Sequence, residues 1–146
     1  MEKLFVVILL FFALTISAQS DSDKNQRRKY SDEQIELFIR EVFQDKADEL
    51  VLKSSSGRLE MITDFLQNRV SIVFLPEYRA KKFKSVFDFP LSNKYNPKLE
   101  RDFKVTVSTF NPLKYDLPMF PKNKELYRIG ATDYLLVITP VTTINQ

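Results

Sequence analysis

The side chains of this sequence that could do chemistry are carboxylates, amines and hydroxyls, because the chain contains no cysteine and no histidine. Their absence excludes thiol nucleophiles, histidine-assisted serine catalysis and the usual zinc, iron–sulfur and haem ligands. The sequence has two glycines, Gly57 and Gly130, which are too few for a glycine-rich phosphate loop. We therefore expect no cofactor and no bound metal, and the sequence favours a protein without catalytic activity.

Carboxylates leave one enzymatic alternative open, a glycan hydrolase. Such an enzyme needs two carboxyl groups that flank the scissile bond, one of them with a raised pKa. The candidates in the sequence are Glu60, Asp64, Glu77 and Asp88. Nothing in their spacing pairs one with another, so this function remains an alternative.

Asp45, Asp48 and Glu49 form a second group of carboxylates. Their spacing places all three on one face if the preceding helix continues that far, and such oxygen ligands suit Ca²⁺ or Mg²⁺. A complete calcium loop has more ligands and usually a glycine at its sharp turn. We therefore interpret these residues as a solvated helix end.

Positive charge is concentrated in the second half of the chain. Residues 19–68 carry 8 basic and 11 acidic side chains, whereas residues 69–146 carry 13 and 7. The densest basic segment contains Arg79, Lys81, Lys82 and Lys84, and clustered cations bind anionic polymers and surfaces. We predict a contact with an envelope protein, glycan or lipid headgroup, and not with nucleic acid. The alternative is a solvated loop.

The first eighteen residues have the composition of a cleavable signal peptide. After Lys3 an unbroken apolar run of 11 residues extends to Leu14, and small residues follow at Ser17 and Ala18. Because spanning a bilayer takes about 20 residues, we prefer cleavage after Ala18, or alternatively after Ser20, to a retained anchor. No later stretch reaches that length, so we expect no transmembrane segment after cleavage.

The chain also lacks any Asn-x-Ser/Thr glycosylation site. Together with the absence of cysteine, this favours export to a bacterial periplasm or exterior over a eukaryotic secretory pathway. The segments Asn111–Tyr115 (NPLKY) and Tyr127–Tyr134, with the signal-like N-terminus, resemble a group of uncharacterised short exported bacterial proteins. The resemblance implies a cleavable signal peptide and no known activity.

Two helices are predicted after a polar leader. Residues 19–30 carry no aliphatic side chain and are predicted to be disordered, and residues 31–146 are predicted to form a single domain. Ser31 and Gln34 have the spacing of a capping box, and the apolar residues that follow predict a helix over 32–45. A second helix is predicted over 58–68. Residues 49–53 could prolong the first helix or form a short strand.

The remaining patterns predict strands. Val70–Leu75 is β-branched and apolar, and Phe103–Ser108 alternates between apolar and polar residues. Leu126–Ile129 and Tyr134–Thr139 flank a turn at Gly130, which predicts a hairpin. The last of these strands is almost entirely apolar and is therefore predicted to be central. The expected fold is α+β, with the two N-terminal helices packed on one face of a small antiparallel sheet that ends in this hairpin.

Overall fold

A computed structural model describes residues 30–76, 79 and 81–142. The predicted signal peptide (1–18), residues 19–29 of the predicted leader, and Glu77 lie outside the described residues. Within the described residues the protein is α+β, with helices in the N-terminal part and a three-stranded antiparallel sheet.

The first helix, α1 (Asp32–Phe43), begins at the predicted capping box. The Ser31 hydroxyl accepts a hydrogen bond from the Gln34 amide (3.2 Å), and the Gln34 side chain accepts one from the Ser31 amide (3.0 Å). The helix is two residues shorter than predicted, because Gln44 adopts a positive φ of 49°. Its side-chain amide donates to the Glu41 carbonyl (3.0 Å) and so satisfies one of the free carbonyls of the last turn.

After α1 the chain forms a 3₁₀ turn and then a π-helical turn. The 3₁₀ turn covers Gln44–Lys46, and the π-helical turn covers Asp48–Leu52. The alternative of a strand over residues 49–53 is therefore wrong. Ala47 and Val51 are fully buried, so these turns also contribute apolar side chains to the core.

The second helix, α2 (Arg58–Asp64), continues as a π-helical turn, Phe65–Arg69. The helix predicted over residues 58–68 is thus confirmed in extent, with a wider final turn. Within this turn Phe65, Leu66 and Arg69 are buried. A π turn adds a residue to the usual helical repeat, and here it carries a charged residue into the interior beside two apolar ones.

Three strands form the sheet: β1 (Val70–Phe74), β2 (Glu125–Arg128) and β3 (Tyr134–Ile138). Their order is β1-β3-β2, and both pairings are antiparallel. The predicted first strand, the C-terminal hairpin and the central position of the last strand are therefore confirmed. In the hairpin turn Gly130 has a φ of 55°, a conformation that glycine adopts without steric cost.

The strand predicted over Phe103–Ser108 is wrong, because this segment forms turns. The Thr106 hydroxyl lies 2.7 Å from the Thr109 hydroxyl, and the Phe110 amide donates to the Thr106 carbonyl (3.1 Å). Hydroxyl side chains that bond within their own segment compete with a strand ladder. The alternation of apolar residues arises because Val105 and Val107 are half-buried against the core.

The buried core combines helical and sheet residues. In a strand, every second side chain points to the same face, and Val70, Ile72, Leu136 and Ile138 share one face of the sheet by their register. These residues belong to the same buried cluster as apolar residues of α1 and α2. The cluster also includes Tyr30, at the end of the predicted leader, which is only 6% exposed.

Candidate binding surface and cavity

The basic segment predicted to contact an anionic partner lies on the surface of the protein. Arg79, Lys81, Lys82 and Lys84 are all exposed. The Nζ atom of Lys82 lies 5.1 Å from the centre of the Phe83 ring, within the range of a cation–π contact. The segment therefore presents amines to solvent beside an aromatic ring.

Lys84 is held in place through its backbone. Its carbonyl accepts a hydrogen bond from the Arg128 amide of β2 (2.9 Å). The next residue, Ser85, caps a short 3₁₀ helix, Val86–Asp88. With its own carbonyl and the following residue fixed, Lys84 places its Nζ atom 4.0 Å from the centre of the Phe89 ring, a distance that favours attraction between the cation and the ring face.

The fold adds Arg101 to this group of cations. Its Nη2 atom donates a hydrogen bond to the Phe89 carbonyl (2.9 Å), so Lys84 and Arg101 both contact Phe89. Neither cation forms an ion pair with any described residue. We refer to Lys82, Lys84 and Arg101 as the basic surface. Sequence reasoning missed Arg101, because the contact joins two loops and no local pattern predicts it.

An exposed aromatic ring lies next to the basic surface. Phe103 is 97% exposed, more than any other large apolar residue that the structure describes. The preceding residue, Asp102, is anchored because its Oδ1 atom accepts from the Nζ atom of Lys114 (2.9 Å). Arg101 and Lys104, on either side, are exposed cations. The loop therefore presents an apolar ring between two positive charges.

The NPLKY segment, Asn111–Tyr115, forms an internal polar cluster. Asn111 is fully buried, and its Nδ2 atom donates to Glu41 (2.9 Å). The Nζ atom of Lys114 lies 3.1 Å from Glu41 and 2.9 Å from Asp102. Burial acts to lower the pKa of Lys114, but the hydrogen bonds and charges of the two carboxylates outweigh it and raise that pKa. The polar groups of Asn111 and Lys114 thus join α1 to the loops.

An open cavity of about 360 Å³ lies beside α1 and α2, against the loops near residues 92–95 and 112–119. Its walls are mainly apolar and include Val42, Phe43, Met61, Phe65, Leu117 and Met119. Three charged residues also line it: Arg58, Lys94 and Asp116. No motif in the sequence pointed to this cavity, because its walls come from segments that lie far apart in the chain.

A second groove, of about 590 Å³, is acidic. Four carboxylates line it: Asp32, Glu36, Glu60 and Asp64. The groove brings together two of the carboxylates considered for a glycan hydrolase, Glu60 and Asp64. A third candidate, Asp88, lies elsewhere, where its side chain accepts a hydrogen bond from the Ser85 amide (3.1 Å).

The environment of Asp64 does not suit a general acid. A hydrogen bond from Asn68 (3.0 Å) and one from Arg69 (2.8 Å) hold the pKa of Asp64 below its usual range, although partial burial opposes them. A general acid in glycan hydrolysis needs a raised pKa. No observation in this groove therefore favours the hydrolase alternative.

The carboxylates Asp45, Asp48 and Glu49 lie on the helical turns after α1. Asp48 pairs with Arg40 (3.1 Å) and Lys53 (2.5 Å), and Glu49 pairs with Lys46 (2.8 Å). The hydrogen bond from Lys53 is the main cause of the lowered pKa of Asp48. Across residues 30–76, 79 and 81–142, no group of three or more potential ligands is placed to hold a metal ion.

Comparisons with known proteins give no relative. No family model, curated protein or solved structure matches the chain significantly. Among the described residues, no helix combines the length and the apolar character needed to cross a membrane.

Proposed function

We propose that this protein is an exported bacterial domain without catalytic activity that binds an anionic surface of the cell envelope through the basic surface. The observation that carries the proposal is the convergence of Lys84 and Arg101 on Phe89, with neither cation paired to a described carboxylate. Like charges that contact the same residue without counter-ions repel each other, and a polyanionic partner would offset this repulsion. The apolar N-terminal run supports export through a cleavable signal peptide.

Among the expected partners, an anionic lipid surface fits the basic surface best. Phe103 projects into solvent between Arg101 and Lys104. An aromatic ring enters the interface of a bilayer, where neighbouring cations bind the headgroups. A glycan or an acidic protein would use the same charges but would not require a ring with 97% of its surface exposed.

The test uses tryptophan fluorescence, because the chain contains no tryptophan. A Phe103→Trp variant of the full chain carries one reporter at the tip of the loop. We expect its emission to shift to the blue on adding vesicles of phosphatidylglycerol and phosphatidylcholine, and to stay unchanged with phosphatidylcholine alone. Leu37→Trp is the matched control, because Leu37 is 65% exposed on the acidic α1 and should report no change.

Charge variants complete the test. Each cation near an anionic membrane contributes about 1 kcal/mol, so Lys84→Gln with Arg101→Gln should weaken binding about thirtyfold. The control is Lys46→Gln with Lys53→Gln, which removes the same amount of charge from the turns after α1. Both pairs of variants keep the apolar N-terminal run, so any binding of vesicles by that run is the same in both. Equal losses in both pairs, or binding to an acidic polysaccharide without binding to vesicles, would contradict the proposal.

We also propose that α1 and α2 lie on one face of the sheet, as the sequence predicted. Support comes from the buried cluster, in which Ile39 and Leu66 of the helical part join Ile72 and Leu136. The last two residues share one sheet face by their register. In this arrangement α1 and α2 cover one face of the sheet and do not contact the opposite face.

A further inference from the structure

The cavity beside α1 and α2 has the properties of a small-molecule site. We propose that it binds an apolar molecule that carries a single anionic group, such as an alkanoate of medium length. Its volume of about 360 Å³ is at the lower end of the range of ligand pockets, about 300–1,000 Å³. Such pockets combine apolar walls with a few polar groups that fix the orientation of the ligand.

The charges that line the cavity select the sign of the ligand. Arg58 is partly fixed, because its Nη1 atom donates to the Leu50 carbonyl (3.1 Å), and the rest of its guanidinium remains available. The Nζ atom of Lys94 lies 5.2 Å from the centre of the Tyr95 ring. Neither cation forms an ion pair with a described residue. Asp116 is the carboxylate that lines the cavity, so the lining keeps a net positive charge that attracts an anion.

The apolar walls suit a flexible chain. Met61 and Met119 both line the cavity, and unbranched methionine side chains adapt to ligands of irregular shape. Phe43 and Tyr95 stack with their ring centres 5.5 Å apart and add a flat apolar wall. An alkyl chain against these residues would leave water, which is favourable in proportion to the apolar area buried.

This site is independent of the proposed function, because Lys82, Lys84 and Arg101 do not line the cavity. Loss of vesicle binding and loss of alkanoate binding would therefore have different causes. The two proposals fail or succeed separately.

The experiment follows methionine methyl groups by NMR in the full chain. The chain contains three methionines, of which Met61 and Met119 line the cavity. Octanoate should shift the signals of these two residues saturably. Heptylammonium has the same alkyl chain with the opposite charge and should bind at least fivefold more weakly. Equal binding of both probes, or no saturable shift with octanoate, would overturn the proposal.

Two sets of variants locate the site. Met61→Trp replaces a half-buried wall residue with a larger one and should abolish the octanoate shift at Met119. Arg58→Gln with Lys94→Gln should weaken octanoate binding about fivefold, because an exposed ion pair contributes up to about 1 kcal/mol. Lys122→Gln with Lys124→Gln removes the same charge from residues outside the cavity and should have no effect. Unchanged affinity in Met61→Trp, or the same loss in both charge pairs, would reject the cavity as the site.

Discussion

The Nζ atom of Lys114 lies 2.9 Å from the Oδ1 atom of Asp102, in a contact between two loops. Lys114 is only 5% exposed, whereas Asp102 immediately precedes the exposed Phe103. An interior charge thus fixes the base of the loop that carries the proposed lipid contact. The same lysine pairs with Glu41 of α1 (3.1 Å), so the loop is tied to the helical part of the core.

Replacing Lys114 by Met should strongly destabilise the protein. The change removes a buried cation and leaves Asp102 (16% exposed) and Glu41 (42% exposed) without it. Because both carboxylates keep some contact with water, the cost should be about 2 kcal/mol, less than that of breaking a fully buried ion pair. Urea unfolding followed by circular dichroism measures the free energy of unfolding. Lys124→Met, at an exposed position, is the control and should change it by less than about 0.5 kcal/mol. Similar stability in the two variants would show that the ion pair contributes little.

Stability should fall at alkaline pH. Burial raises the pKa of the Tyr30 and Tyr115 hydroxyls, and Asp102 and Glu41 raise that of Lys114 despite its burial. The ordinary values are 10.0 for tyrosine and 10.5 for lysine. Because the folded state binds these protons more tightly, its stabilisation is complete below pH 10 and is lost as the pH rises through the folded pKa values.

Urea titrations from pH 7 to pH 11.5 would measure this dependence. The free energy of unfolding should fall only above about pH 10 on account of these groups. In Tyr30→Phe with Tyr115→Phe the fall should be shallower, since two of the groups with a raised pKa are gone. An identical slope in the variant would contradict the assignment to these tyrosines.

The two glycines should differ in their tolerance of alanine. Both have a positive φ, 69° at Gly57 and 55° at Gly130, and this strain costs about 1 kcal/mol at either position. At Gly130 a Cβ atom would also lie 2.6 Å from the Phe87 ring, whereas at Gly57 the nearest atom is 4.0 Å away. Gly130→Ala should therefore lower the melting temperature clearly more than Gly57→Ala. Equal shifts would show that the Phe87 ring moves at no cost.

Two phenylalanines should respond in opposite ways to truncation. Phe103 is 97% exposed and Phe110 is fully buried. Phe110→Ala should cost about 3–5 kcal/mol through the cavity it creates, whereas Phe103→Ala should change stability by less than about 0.5 kcal/mol. Thermal unfolding of both variants measures this difference. A large loss in Phe103→Ala would show that the ring packs against the core and is not available for a lipid surface.

Local patterns predicted the regular elements well. The capping box of Ser31 and Gln34 lies within four residues, so the start of α1 could be read directly from the sequence. The apolar run from Tyr134 to Ile138 likewise predicted the central strand. The pattern failed at Phe103–Ser108, where alternation suited a strand but hydroxyl bonds within the segment formed turns instead. The spacing of apolar residues indicates which side chains are buried, but more than one backbone conformation can bury alternate residues.

The sequence by itself determined which chemistries are excluded, where the helices begin and where the hairpin turns, because each of these depends on residue types or on neighbours along the chain. Only the tertiary structure decided that Lys84 and Arg101 both contact Phe89, that Phe103 is exposed, and that separate segments line a cavity. These features join residues that are far apart in the chain. Their positions follow from how the helices and loops pack to bury apolar surface, which no local pattern records.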